Sequence, residues 1–577
     1  MKRLLKPFTQ NIPLFIISTL LLGILDIAYH QYLFHENTAS AMVKAYGEIV
    51  FMASIFCILS WVLRKIYFKI LIYIFLFIIY IINSYLYYAY STDITPNIVL
   101  ILAETNNKEI SGFFETYLTT PASYKTIFVV VVFLVATIIG EYYNSYISKK
   151  MENKYLRVVL SLTLLFGVIF GSSAISRYNT LFVNDNPYYS ERWIINNLFY
   201  KRMPIGNLCY SINAIYLSGK QIQSMVETTE RSLNHVESIN KDSLDIILII
   251  GESYNKYHSG LYNYLPNTTP LQCKERDNGN LYAFANVKAP HNMTSIVLKN
   301  VLCCNNVHES EHWYNSPFFP ALFKKAGYNV YLWDNQYQQD HNYPWSFTLN
   351  SVMYNDRIMQ MAYTEVNEKG YAYDDGLISD FENKKMSKLG KKNLIIFHLW
   401  GQHLPANTQF PNDSKHKVFT IKDVRSKASY LNNESRQAIA DYDNATLYND
   451  EVVFHAMNLF RNKNAILVYF PDHGEEIYDY KNSCGRFVFG KSDITPQQLK
   501  YQFEIPFVVW CSDQWKQKHN DEWQNIGQCL EREFTTDNVC HLLFRLAGIK
   551  TQEYKPSRDL FSPEFIPQTK KYSIFTL

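Results

Sequence analysis

The chain carries almost no net charge. Lys and Arg outnumber Asp and Glu by three over 577 residues, which makes no electrostatic case for a nucleic-acid partner. Its cysteines are few and scattered. Nine are present, at 57, 209, 273, 303, 304, 484, 511, 529 and 540, and no spacing among them matches a zinc knuckle or assigns a disulfide pairing. No internal repeat is evident. Two loops near the N-terminus, 35–45 and 91–123, are short of cations.

What is abundant is apolar sequence, and it is concentrated at one end. A length of 577 residues exceeds one ordinary core and predicts at least two domains. The first 180 residues hold five apolar stretches, Ile12–Phe34, Tyr46–Leu63, Ile66–Tyr90, Tyr124–Tyr143 and Tyr155–Ile175. Each is close to the roughly 20 residues that cross about 30 Å of hydrocarbon. Cations flank them unevenly: Lys2, Arg3 and Lys6; Arg64, Lys65 and Lys69; Lys149, Lys150, Lys154 and Arg157. This pattern places the N-terminus in the cytoplasm and, with five spans, everything after Ile175 outside. The N-terminal segment is too long, and too closely followed by further spans, to read as a cleaved signal peptide. The spans lack paired buried charges, with Asp26 and His30 as the main exceptions, which disfavours a transporter.

The expected organisation is a transmembrane domain over 1–176, bridging helices over 177–235 and an extracytoplasmic domain over 236–577. Within the bridge, "YYSERWIINNLFYKR" suits a helix lying on the membrane surface or a packed connector. From Asp242 onward, apolar strands ("LDIILIIGES", "YNVYLWDN", "NLIIFHLWGQH", "AILVYFPDHGEE", "EIPFVVWCS") alternate with helices such as "FFPALFKKAG" and "NDEVVFHAMNLF". Continuous apolar strands alternating with helices predict a mostly parallel central sheet between helices, an α/β domain.

Ligands of such sheets sit beyond the carboxyl ends of the strands. Those exits read Gly251-Glu252-Ser253, Gly401-Gln402-His403 and Asp472-His473-Gly474. Glu252, Asp472 and His473 supply oxygen and nitrogen donors of the kind Zn²⁺ takes, with one position left for a reacting oxygen. A hydroxyl for that position stands in "APHNMTSIVLKNVL", at Thr294 or Ser295, before a helical run whose N-terminus favours a phosphate. Each residue alone has a plainer reading: a turn, a solvated Glu252, an N-capping Thr294, a surface His403. Their convergence on one edge distinguishes a metal site from four such coincidences.

"ILIIGESYNKYHSGLYNYLPNTTP" resembles the opening signature of the membrane phosphoethanolamine transferases, in the alkaline phosphatase and sulfatase superfamily. The likeness continues in order through "MTSIVL", "LFKKAGYNVYLWDNQ", "FHLWGQHLP", "DYDNATLYND" and "FPDHGEE". The resemblance implies an α-helical five-span membrane domain followed by an α/β sulfatase-like domain. It also implies zinc held by Glu252, Thr294, Asp472 and His473. Thr294 is then the nucleophile, becoming phosphoethanolamine-threonine, and His403 contacts the phosphate or the incoming acceptor. Phosphatidylethanolamine is the implied donor, with diacylglycerol released. In "LAETNNKEISGFFE", Thr105 and Glu109 match a headgroup-binding segment, with Asn106 in a variant of the motif and Glu109 facing the ethanolamine ammonium. The implied setting is the bacterial inner membrane, with a monomeric enzyme whose catalytic domain is periplasmic.

Departures leave the acceptor open among lipid A, lipopolysaccharide core and another surface glycan. A Leu-His-Gly histidine found in lipid A-modifying members is missing from "CGRFVFGKSD", where Phe489 precedes Gly490. His291, Arg486 and Lys491 are candidate substitutes. Cys303 and Cys304 lie beyond Thr294 rather than bracketing it. The rivals are a phosphoglycerol transferase of the same superfamily, a membrane-anchored hydrolase and a non-catalytic metal-binding sensor. "MTSIVL" offers no Cys/Ser-x-Pro-x-Arg setting, which a formylglycine sulfatase requires.

Overall fold

In the computed structural model, the residues described are 4–24, 39–90, 94, 99, 121–173, 175, 204–309, 312–336, 352–486 and 495–567. Thr105, Asn106 and Glu109, the segment 188–202 and Lys491 lie outside them. The chain forms two compact units, Met1–Lys220 and Gln221–Asp340 with Trp345–Leu577.

Among the described residues of the first unit, four helices are long and apolar enough to cross a membrane: Val43–Leu63, Ile66–Leu86, Tyr124–Tyr142 and Lys154–Gly171. They match the second to fifth expected spans. The first expected span is described only up to Ile24 and there forms a shorter apolar helix, Ile12–Gly23. Two of the four pack through small residues. A Cβ on Gly171 would sit 2.5 Å from the Gly47 carbonyl oxygen, and one on Gly167 3.2 Å from the Phe51 nitrogen. Four residues apart, the two glycines share a helix face and let the backbones approach closely.

The expectation that the spans carry no paired buried charge is corrected here. Lys69 binds the Glu141 carboxylate at 2.7 Å, and the Tyr73 hydroxyl donates to it at 2.7 Å. Lys69 reads from the sequence as a cation between spans although it falls inside the stretch Ile66–Tyr90, and the helix does begin at Ile66. Glu141 sits one residue before the end of its own span, so the pair lies at helix ends, where charge is tolerated, rather than at mid-depth.

The second unit is built on a seven-stranded sheet. Its strands in chain order are β1 (Leu244–Gly251), β2 (Leu281–Ala283), β3 (Asn329–Asp334), β4 (Glu365–Val366), β5 (Lys392–His398), β6 (Ala465–Pro471) and β7 (Val508–Cys511). The spatial order is β2-β7-β6-β1-β5-β3-β4. Strands β6, β1, β5, β3 and β4 run parallel, while β7 and β2 add an antiparallel edge. The five expected strands all form; β2 and β4, three and two residues long, were too short to register as apolar runs.

Both faces of the sheet are buried. Ile246, Leu248 and Ile250 of β1 face a core shared with Val297, Val301, Phe319, Phe323 and Leu543. Ile247 and Ile249 face the opposite core with Leu377, Phe381, Ile439 and Val453. Each such side chain contributes about 1.5–3 kcal/mol by leaving water, which explains why β1 carries no alternation of polar residues.

Overpacking a glycine contact between membrane helices costs about 1–3 kcal/mol. Gly171→Val is therefore expected to lower the thermal midpoint in detergent. Gly219→Val, where nothing lies within 4 Å of the added carbon, should leave it unchanged. Equal midpoints for the two variants would rule the helix contact out.

Candidate active site

The central strands end level with one another. Gly251 of β1 is paired with Pro471 of β6, and Ile250 with His398 of β5. Glu252 and Asp472 therefore leave neighbouring parallel strands at the same height. Asp472 N–H donates to the Gly251 carbonyl at 2.9 Å and Tyr254 N–H to the His473 carbonyl at 2.9 Å, locking the two exits together. The chain reverses at Ser253, whose φ of 56° is left-handed. That turn lets Ser253 N–H donate to Asp472 Oδ1 at 3.1 Å and its hydroxyl to Glu252 Oε1 at 2.6 Å.

Three ligand-type groups meet at these exits. One oxygen each of Glu252 and Asp472 and one His473 nitrogen lie within 4.8 Å of one another, and all three residues are buried. His473 Nε2 is 3.2 Å from Glu252 Oε1 and 3.2 Å from Asp472 Oδ2. Its Nδ1 lies 2.9 Å from the Gly474 carbonyl, an acceptor, which assigns the proton to Nδ1 and leaves the Nε2 lone pair facing the carboxylates. The fourth group is Thr294. Its hydroxyl donates to Glu252 Oε2 at 3.0 Å and lies 3.3 Å from His473 Nε2. Thr294 opens the helix Thr294–Leu302, whose N-cap is Met293, so the capping alternative for Thr294 does not apply.

The electrostatics are those of like charges pressed together. Burial pushes the Glu252 carboxyl up, but His473, Arg486 and His403 outweigh it and hold it well below the ordinary range. Burial and the neighbouring Glu252 push Asp472 well above. Burial and the Arg486 charge lower His473 to about 4, so its imidazole is neutral at physiological pH. Two carboxylates, a neutral imidazole nitrogen and a hydroxyl form an oxygen and nitrogen donor set that fits Zn²⁺.

His403 lies on the loop after β5. Gly401 has a φ of 50°, and a Cβ there would fall 2.6 Å from the Glu252 carbonyl oxygen, so only glycine allows the loop to lie against Glu252. Gln402 N–H donates to that carbonyl at 3.1 Å. The half-buried His403 ring packs on Trp400 at 5.5 Å.

Two further residues reach the cluster. Gln336, just past β3, donates to Glu252 Oε2 at 3.1 Å and to the Leu399 carbonyl at 2.8 Å. "YLWDNQ" held it at a strand exit, but an amide at an exit carries no metal signal by itself. Among the three candidate histidine substitutes, Arg486 arrives: its guanidinium contacts His473 Nε2, donates to the Asn292 carbonyl at 3.0 Å and pairs with Glu475 at 3.1 Å. His291 is buried, with its ring 6.5 Å from that of Phe503.

The remaining motif residues brace the exits. Tyr442 OH donates to the Ser253 carbonyl at 2.6 Å and accepts Asn255 N–H at 2.8 Å. Its neighbour Asp443 accepts from His258 Nδ1 at 2.8 Å, while His258 Nε2 faces Asp479 at 3.3 Å. Thr268 and Thr269 of the Asn-Thr-Thr-Pro segment accept Gly260 and Leu261 N–H at 3.1 and 2.7 Å. Burial lowers the His258 imidazole, but Asp479 and Asp443 outweigh it and raise it to about 10. A folded-state value above the unfolded one stabilises fully below about pH 6.5, and that stability is lost as pH rises towards 10. Melting wild type and His258→Gln between pH 7 and 10 should show a downward slope in the wild type that flattens in the variant. At pH 7 the variant is expected to be destabilised by about 3–5 kcal/mol. Parallel slopes would remove the ion triad from the stability of this loop.

Residues 245–549, more than half of the chain, match the Sulfatase family. Phosphoethanolamine transferase EptC of Escherichia coli strain K12 is 25% identical over 493 residues, covering 84% of this chain and 80% of the relative. The crystal structure of the C-terminal periplasmic domain of E. coli EptC is 26% identical with a TM-score of 0.50, covering 59% of this chain and 94% of that one. The integral membrane lipooligosaccharide phosphoethanolamine transferase A of Neisseria meningitidis, 15% identical, shares the fold over 96% of this chain and 97% of its own, with a TM-score of 0.54. The chain belongs to the sulfatase family, in which it stands with the phosphoethanolamine transferases.

Proposed function

We propose that the protein transfers phosphoethanolamine from phosphatidylethanolamine to lipid A or the lipopolysaccharide core, through a covalent intermediate on Thr294. The observation that carries this reading is the Thr294 hydroxyl, 3.0 Å from Glu252 and 3.3 Å from His473 within the donor set. Glu252, Asp472, His473 and Thr294 would hold Zn²⁺, which supplies the charge that makes a hydroxyl proton easier to remove. Thr294 Oγ1 attacks the phosphorus of the donor lipid, the bond from phosphorus to the glycerol oxygen breaks, and diacylglycerol leaves with a proton. The acceptor hydroxyl then attacks the same phosphorus and frees Thr294. Two displacements replace one more difficult step.

Arg486 is placed to bind phosphoryl oxygens through its planar fork, and His403 to contact the phosphate or the acceptor. Thr105, Glu109 and Asn106 would hold the headgroup, with Glu109 against the ammonium. The four apolar helices suit a multi-pass protein of the bacterial inner membrane with a periplasmic catalytic domain, acting as a monomer. A lipid A acceptor is favoured by the likeness to the Kdo(2)-lipid A phosphoethanolamine 7''-transferase of E. coli strain K12, 26% identical over 287 residues.

The purified protein, in detergent with zinc and fluorescent phosphatidylethanolamine, is expected to release diacylglycerol and to gain phosphoethanolamine mass on the peptide containing Thr294. Thr294→Ala should lower release by at least about three orders of magnitude while the fold survives. Full activity in that variant would move the nucleophile, most plainly to Ser295. Turnover of phosphatidylglycerol instead would identify a phosphoglycerol transferase, and inactivity on both lipids a metal-binding sensor.

A further inference from the structure

Two cysteines follow directly on the helix that Thr294 opens, and they face different ways. Cys303 directs its sulfur to the Met225 sulfur, 3.6 Å away. Its backbone is extended, with φ −97° and ψ 153°, so the next side chain points to the opposite side. Beyond Cys304 the chain runs against the segment that leads into the helix Val539–Ala547. Asn306 donates to the side chain of Asn538 at 3.1 Å, and Val307 N–H to that of Asp537 at 2.8 Å. These bonds hold the stretch just past Cys304 against the turn Thr536–Asn538, which leads directly into Cys540. The two thiols interact electrostatically, with burial and the neighbouring Cys540 pushing the Cys304 thiol well above its ordinary range. Both are buried in the same core, and both are thiols in this structure.

We propose that Cys304 and Cys540 are a covalent modification site, joined as a disulfide in the mature protein and tying the far end of the Thr294 helix to the helix Val539–Ala547. The reaction is thiol–disulfide exchange with an external disulfide. The Cys540 thiolate attacks one sulfur of that reagent and expels a thiolate. The Cys304 thiolate then attacks the Cys540 sulfur of the mixed disulfide and expels the second. The two protein thiols lose two protons and two electrons, and the reagent leaves as two thiols. The order of the two attacks is interchangeable, since the exchange precedes the folded surroundings of either thiol. Both sulfurs are buried, so exchange belongs to the stage before the core closes. An oxidising compartment is required, and in this respect the inference rests on the extracytoplasmic placement proposed above.

Full-length protein is taken from membranes lysed without reductant in N-ethylmaleimide, digested and weighed. The expected product is the peptide containing Cys304 joined to the peptide containing Cys540, lost on reduction and retained in Cys303→Ser. Maleimide on both residues, or Cys304 joined to any other cysteine, overturns the pairing. Exposed Cys484, labelled by a membrane-impermeant maleimide in spheroplasts, reports the side of the membrane independently, so a failure of topology is told apart from a failure of pairing. Reductant should also lower the thermal midpoint of the wild type and leave the double variant Cys304→Ser/Cys540→Ser unmoved. An equal effect of reductant on both proteins counts against the link.

Discussion

The candidate centre depends on the register between two neighbouring parallel strands. Gly251 stands opposite Pro471, so the next residue of each strand, Glu252 and Asp472, emerges at one level. A slip of one residue would send Asp472 to the other side of the sheet and His473 into its place. The alternating apolar residues of β1 and β6 enter two different cores, and this divided burial opposes the slip. Packing of residues far from any chemistry thus sets the spacing of the ligands.

The groups brought together by that register oppose one another. Two buried carboxylates at close range raise the cost of a second negative charge. The protein answers with neutral and cationic neighbours: hydroxyls of Ser253 and Thr294, the Gln336 amide and the Arg486 guanidinium. Arg486 also pairs with Glu475, which anchors it at the rim. A cationic ligand is the natural complement of such a cluster, and a phosphoryl group the natural complement of the arginine beside it.

Much of this was legible in the sequence for physical reasons. Strands buried on both faces must be continuously apolar, so their ends are easily located, and the residues just past those ends define the site edge. Glu252, Asp472 and His473 stand just past such ends and the fold gathers them, while Thr294, which precedes an apolar helical run, comes within 3.0 Å of Glu252. Gln336 and Arg486 were harder. Their contribution depends on where a loop returns in space, and Arg486 sits in an aromatic, basic stretch with no periodicity. The His258 triad joins residues from three distant segments, which no local pattern encodes. The Lys69–Glu141 pair was missed because its partners stand 72 positions apart on two different helices, which no local pattern encodes.

The interleaving of the sheet has a consequence for biogenesis. Ser253 and Asp472, bonded at the centre, are 219 positions apart, and the strands between them enter the sheet only through long crossovers. A polypeptide still threading through a translocon, or held extended by a chaperone, has neither the paired exits nor the spacing that gathers its donors. The donor set therefore gathers only once the sheet has closed.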